Sequence, residues 1–173
     1  MAQEPTSRAD WIRQALADFE RPLLRYALRK CNGDLERARD AVQDTFLRLC
    51  REKREKIEDH LAPWLYTVCR NRILEIRRKE DRMTALSEER LAVTPAAAGN
   101  PATAMEKQDA INSVTALLTT LPDNQQEVIR LKFQNDLSYK QISSITNLSV
   151  SNVGYLIHTG IRTLRRKLHQ QEA

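Results

Sequence analysis

Between Trp11 and Cys31 apolar residues return every third or fourth position, at Ile12, Leu16, Phe19, Leu23 and Ala27. That rhythm places one apolar stripe along an α-helix facing a core. Pro22 falls inside it. Proline lacks a backbone donor and crowds the preceding turn, so the pattern predicts a kink there, or a fresh helix with Pro22 in its first turn. Asn32-Gly33-Asp34 supplies a turn and an N-cap. Leu35, Ala38, Val42, Phe46 and Leu49 form a second stripe, which leaves Asp40, Gln43, Asp44 and Arg48 on the other faces of that helix. Arg51 to Asp59 is charged in both signs and reads as a frayed helix end followed by a loop. A third helix is predicted from about Leu61 to Lys79, with Pro63 in its first turn and Leu65, Val68, Cys69, Ile73 and Ile76 inward. Three such helices make one bundle, over residues 1–81.

The rhythm fades over residues 82–105, where Thr94 to Pro101 combines proline, glycine and small residues in the manner of a flexible connector. A second helical unit is predicted over 106–173. Ile111, Val114, Leu118 and Leu121 share one face, Pro122-Asp123 turns the chain, and Val128, Ile129, Leu131 and Phe133 line the next helix. The expected fold class is all-α, with two small helical domains joined by a linker.

Within the second unit, Ser138 can cap a short helix that buries Ile142 and Ile145, and Asn147 stands where the chain needs a residue tolerant of the left-handed conformation. Leu148 and Val153 can fill the angle before a longer helix, from about Ser149–Ser151 to His169, with Val153, Ile157, Leu164 and Leu168 inward. That is the layout of a helix-turn-helix. Ser151, Asn152, Tyr155, His158, Thr159 and Arg162 are then left for a major groove, and Arg162, Arg165, Arg166 and Lys167 for phosphates. An ordinary helical hairpin with a solvated basic end fits the same pattern.

Composition narrows the classes. Only 4 glycines and 5% aromatic residues in 173 favour helix over sheet. A net charge of +5 suits a polyanionic partner without requiring one. Cys31, Cys50 and Cys69 form no C-x-x-C pair and sit among apolar residues, so buried thiols in a reducing compartment are expected, with no zinc site and no cofactor. No apolar run approaches the ~18 residues that span a bilayer, and a cytoplasmic protein without membrane insertion is expected.

Three segments carry a resemblance. Asp40 to Arg48 (DAVQDTFLR), Pro63 to Asn71 (PWLYTVCRN), and Leu121 to Ile129 (LPDNQQEVI) with the helix-turn-helix behind it resemble the signature segments of extracytoplasmic-function sigma factors of bacterial RNA polymerase. The resemblance implies that the first domain, region two, docks on core polymerase and binds the melted −10 element, and that the second, region four, reads the −35 element. It implies polymerase contact at Asp40, Gln43, Asp44 and Arg48. Contact with the −10 strand falls to Trp64, Tyr66, Arg70, Asn71, Arg77 and Arg78. The −35 contacts fall to Ser151, Asn152, Tyr155, His158, Thr159, Arg162, Arg165 and Arg166. An anti-sigma partner is implied as well, and no enzymatic activity. The chain departs from the family in carrying Gly154, Leu156, Thr159 and Ile161 where recognition helices often hold basic residues.

Two other functions fit parts of the pattern. A stand-alone helix-turn-helix regulator would bind duplex DNA tightly without polymerase. A nuclease would use Asp40 and Asp44, which share a helix face at i and i+4, but a hydrolytic metal site usually needs further convergent ligands that no motif here supplies.

Overall fold

Ser7 sits in extended backbone and its hydroxyl accepts the amide of Asp10 at 3.2 Å, so helix α1 (Arg8–Lys30) begins behind a side-chain cap. A computed structural model describes residues 7–86 and 115–172. α1 runs without interruption through Pro22, and no fresh helix starts there. The proline costs about 3 kcal/mol in a helix interior, yet Leu23, Tyr26 and Ala27 directly after it are buried. Burying one large side chain is worth about 1.5–3 kcal/mol, enough to hold the helix on line. Its buried line also differs from the expected stripe. Trp11, Ala15, Leu23, Tyr26 and Ala27 face inward while Leu16 stays 40% exposed, because turning the helix this way buries the two largest aromatic surfaces it carries.

α1 ends at an Asn32-Gly33 turn with both residues at positive φ (54° and 87°), and Asp34 then accepts the Arg37 amide at 3.1 Å to cap α2 (Leu35–Leu49). Arg8 ties the start of α1 to the end of α2, donating from Nη2 to the carbonyls of Cys50 (2.6 Å) and Glu52 (2.9 Å). Leu35 is 40% exposed, at the mouth of the stripe rather than in it. The charged stretch that follows is ordered rather than a loop: α3 (Arg54–Ile57) and a 3-10 turn (Glu58–His60) carry it. Ile57 fastens it, only 4% exposed among charged neighbours, with an Arg54–Glu58 ion pair at 2.6 Å across the turn.

α4 (Leu61–Leu86) outlasts its expected end at Lys79, so residues 82–86, read as the start of the connector, are helical. Leu65, Tyr66, Cys69 and Ile73 of α4 meet Leu23 and Ala27 of α1 and Ala38, Ala41, Phe46 and Leu49 of α2 in the core of this bundle. Val68 and Ile76 are only half-buried. Cys31 and Cys69 are buried as expected, but Cys50 is exposed at the C-cap of α2, where the helix has ended and the stripe no longer applies.

The chain divides into two compact units, Met1–Ala98 and Gly99–Ala173. In the second, α5 (residues 115–119) leads into buried Leu121; the expected inward residues Ile111 and Val114 lie outside the described residues. α6 (Asp123–Phe133) buries Val128, Ile129 and Leu131. Phe133, expected with them, is 62% exposed, because it is the last residue of α6 and projects where the helix ends. α7 (Tyr139–Thr146) begins with a full capping box: Ser138 accepts the Gln141 amide while Gln141 Oε1 accepts the Ser138 amide. Asn147 takes the left-handed conformation (φ 59°, ψ 25°), and α8 (Val150–Glu172) leaves from there. Gly160 lets α8 press against α6, since a Cβ there would lie 2.6 Å from Ile129 Cδ1.

Candidate nucleic-acid and partner interfaces

On α2, Asp40 and Gln43 are exposed and face away from the bundle core. Asp44 and Arg48 are engaged with α4. Asp44 Oδ2 lies 2.5 Å from Arg72 Nε, Arg72 Nη1 lies 3.4 Å from Glu75, and Glu75 lies 3.9 Å from Arg48. Every member of this chain of charges is 35–50% exposed, so the pairs are partly screened and each is worth little alone. Beside Gln43 a groove of about 620 Å³ opens between α1 and α2, floored by Leu24, Val42 and Phe46 and edged by Leu16, Leu47 and Cys50. Leu47 is 48% exposed. The sequence signal for this edge is Leu47 itself, an apolar residue lying off the buried stripe of α2.

On α4, Trp64, Asn71 and Arg78 stand seven residues apart and so share one line of the helix, with Arg70 and Arg77 on a second line beside it. Asn71, Arg77 and Arg78 are exposed; Trp64 and Arg70 are half-buried. Tyr66 does not belong with them. It is 2% exposed, and its ring meets that of Tyr26 edge-on with centroids 5.3 Å apart, so it is a core residue and unable to reach a base.

On α8, Val153, Leu156, Ile157 and Gly160 are buried. The side opposite them carries Ser151, Tyr155, His158, Arg162, Arg165 and Arg166, all exposed, with Asn152 exposed on the flank. Thr159 is half-buried, and its hydroxyl donates to the Tyr155 carbonyl, which withdraws it from the outer face. Lys167 turns inward, its Nζ 2.5 Å from Thr120 Oγ1. Two hydrogen bonds hold the turn that sets the angle of α8: Ser143 Oγ donates to the Leu148 carbonyl (2.6 Å), and Ser149 Oγ accepts the Asn152 amide (3.2 Å). A short capped helix, a left-handed turn and a long helix with a polar outer face make the helix-turn-helix complete.

Residues 16–83 match the Sigma-70 region 2 family, and residues 111–164 match Sigma-70, region 4. The ECF RNA polymerase sigma factor SigL of Mycobacterium tuberculosis is 30% identical over 165 residues, covering 92% of this chain and 90% of that one. The chain belongs to the ECF sigma factors. A second relative, the ECF sigma factor SigM of Bacillus subtilis, is 29% identical over 120 residues, 69% of this chain and 72% of its own. The fold is shared with the sigma factor RpoE of Bartonella quintana, solved in complex with the anti-sigma factor NepR, at a TM-score of 0.63 and 23% identity over 91% of this chain and 96% of that one. As a sigma factor the protein serves promoter-specific initiation by RNA polymerase, and its family comprises initiation factors rather than catalysts. Among the described residues no helix is long and apolar enough to cross a membrane, and no three His, Cys, Asp or Glu side chains gather as metal ligands.

Proposed function

We propose that residues 1–81 of this sigma factor bind core polymerase and the −10 element, that residues 106–173 bind the −35 element, and that 82–105 link the two. Asp40 and Gln43 meet polymerase directly, with Asp44 and Arg48 contributing from within their pairs to α4. Asn71 meets an unstacked base of the −10 strand, since its amide can donate and accept at a base edge. Trp64 and Arg70 flank it, and Arg77 and Arg78 follow the phosphates. On α8, Ser151, Asn152, Tyr155 and His158 face base edges; Arg162, Arg165 and Arg166 hold the backbone, and Thr159 supports Tyr155.

The observation that carries this reading is the polar outer line of α8 behind a capped turn, in a chain that also matches region 2 in the family order. The protein works in the cytoplasm, where polymerase and promoter are, and an anti-sigma protein holds it inactive by covering these surfaces. The Bartonella sigma factor of the same fold, solved in complex with an anti-sigma factor, supports a partner of that class.

Reconstitution tests the assignment. Core polymerase plus this protein is expected to start transcripts at defined promoters that core alone ignores, while the protein alone binds promoter duplex weakly. Tight, sequence-specific duplex binding with no change in polymerase start sites would identify a stand-alone regulator instead.

A further inference from the structure

The first three turns of α8 carry no lysine or arginine: residues 149–161 read SVSNVGYLIHTGI, and the first cation on the outer face is Arg162. Burial removes further candidates. Leu156 and Gly160 pack inward, and Thr159 spends its hydroxyl on the Tyr155 carbonyl. What remains is Ser151, Tyr155 and His158 on the outer line, with exposed Asn152 and Val150 on its flanks. Tyr155 is 64% exposed and Val150 is 42% exposed.

Major-groove chemistry limits what such a set can read. Guanine presents two acceptors, and the common bidentate contact to them needs the paired donors of arginine or lysine. A neutral imidazole offers one donor, and so does a hydroxyl. Adenine presents one acceptor and one donor, matched bidentately by an Asn or Gln amide, and thymine presents a methyl group that favours apolar contact. Asn152 alone of this set has a bidentate amide, and Tyr155 has the largest exposed apolar face.

Resting on the region-four reading above, we infer that the first three turns of α8 select A·T pairs in the −35 element, through Asn152 on adenine and Tyr155 on a thymine methyl. No guanine fork forms in that stretch. Affinity then comes from Arg162, Arg165 and Arg166 at the phosphates, which carry no sequence information. Specificity and affinity are thus divided along the helix, neutral turns first and cationic turns after.

The test is in vitro transcription by the reconstituted holoenzyme from templates randomised across the −35 element, with the transcribed templates sequenced. Wild type is expected to enrich A·T at the positions α8 contacts. Asn152→Gln is expected to keep the adenine preference, whereas Asn152→Arg, on the exposed flank, shifts one position towards guanine by about 5- to 150-fold, the range a bidentate pair commands. Tyr155→Ala is expected to flatten a thymine preference at a neighbouring position and leave the others. Unchanged base preferences in both Asn152→Arg and Tyr155→Ala overturn the inference, as does a wild-type requirement for guanine that either substitution abolishes. A wild-type holoenzyme that yields no promoter-dependent transcript removes the region-four reading itself, and the inference with it.

Discussion

A methyl group added at Gly154 would lie 3.5 Å from the Tyr139 ring, ordinary van der Waals contact, whereas one at Gly160 would lie 2.6 Å from Ile129 Cδ1 in the packed seam between α8 and α6. Glycine costs a helix about 1 kcal/mol relative to alanine, so the two positions should answer substitution in opposite ways. Gly154→Ala is expected to stabilise the second unit by about 0.5–1 kcal/mol. Gly160→Val, which forces a branched side chain against Ile129 and Leu121, is expected to cost about 1–3 kcal/mol. Urea unfolding followed by circular dichroism checks both, and equal effects would mean that the α6–α8 seam is looser than it stands. Gly154 was conspicuous in the sequence as a glycine within a helix, but Gly160 was not, because spacing alone does not tell which neighbour approaches from outside the helix. Tyr66 shows the opposite failure. Its distance from Cys69 and Ile73, three and seven residues, marks it as a core residue, and that local signal was overridden by its place in a segment resembling a DNA-binding stretch.

Helices α1, α2, α4 and α6 to α8 were legible because each is long enough to repeat its period, and α3 was not, since four residues make barely one turn. What periodicity cannot supply is the partner of a polar face. The polar side of α2 looked like four equivalent contact residues, yet Asp44 and Arg48 pair with Arg72 and Glu75 of α4 while Asp40 and Gln43 remain outside. The substitutions should therefore separate into two classes. Asp40→Ala and Gln43→Ala are expected to weaken core polymerase binding about tenfold or less, as loss of a partly exposed polar contact does, with unchanged thermal stability. Asp44→Ala is expected to weaken binding and also to lower the stability of the first unit by about 0.5–1 kcal/mol, since a half-exposed pair is screened. Fluorescence anisotropy with labelled core, alongside melting of the free protein, measures the two effects; a stability loss in Asp40→Ala as large as in Asp44→Ala would contradict the division.

At the scale of the whole chain, the two units differ in how their cores respond to alkali. The fading rhythm after residue 82 already announced two units, although α4 continues to Leu86 and the rest of the expected connector, up to Met105, lies outside the described residues. The first unit buries Cys69, whose thiol is pushed up to about 12 by burial, and Tyr66, whose hydroxyl is also raised by burial. Cys31 is raised too, by burial first and then by Asp34. The second unit contains no cysteine, and its tyrosines, Tyr139 and Tyr155, are exposed. A thiol freed by unfolding ionises near pH 9, so between that pH and about 12 the unfolded first unit releases protons that the folded one retains. Raised folded values of this kind mean full stability below pH 9 and a progressive loss above it, by up to about 1.4 kcal/mol per pH unit for each group. Trp11 and Trp64, the two tryptophans, both lie in the first unit, which makes indole fluorescence a reporter of that unit alone. Under reducing conditions its melting temperature is expected to hold from pH 7 to 9 and fall from pH 9 to 10.5. The remaining far-ultraviolet dichroism transition, from the second unit, should fall less over the same interval. Parallel decline of the two signals would assign the alkaline sensitivity to titrating groups common to both units, rather than to the thiols and the tyrosine in the core of one.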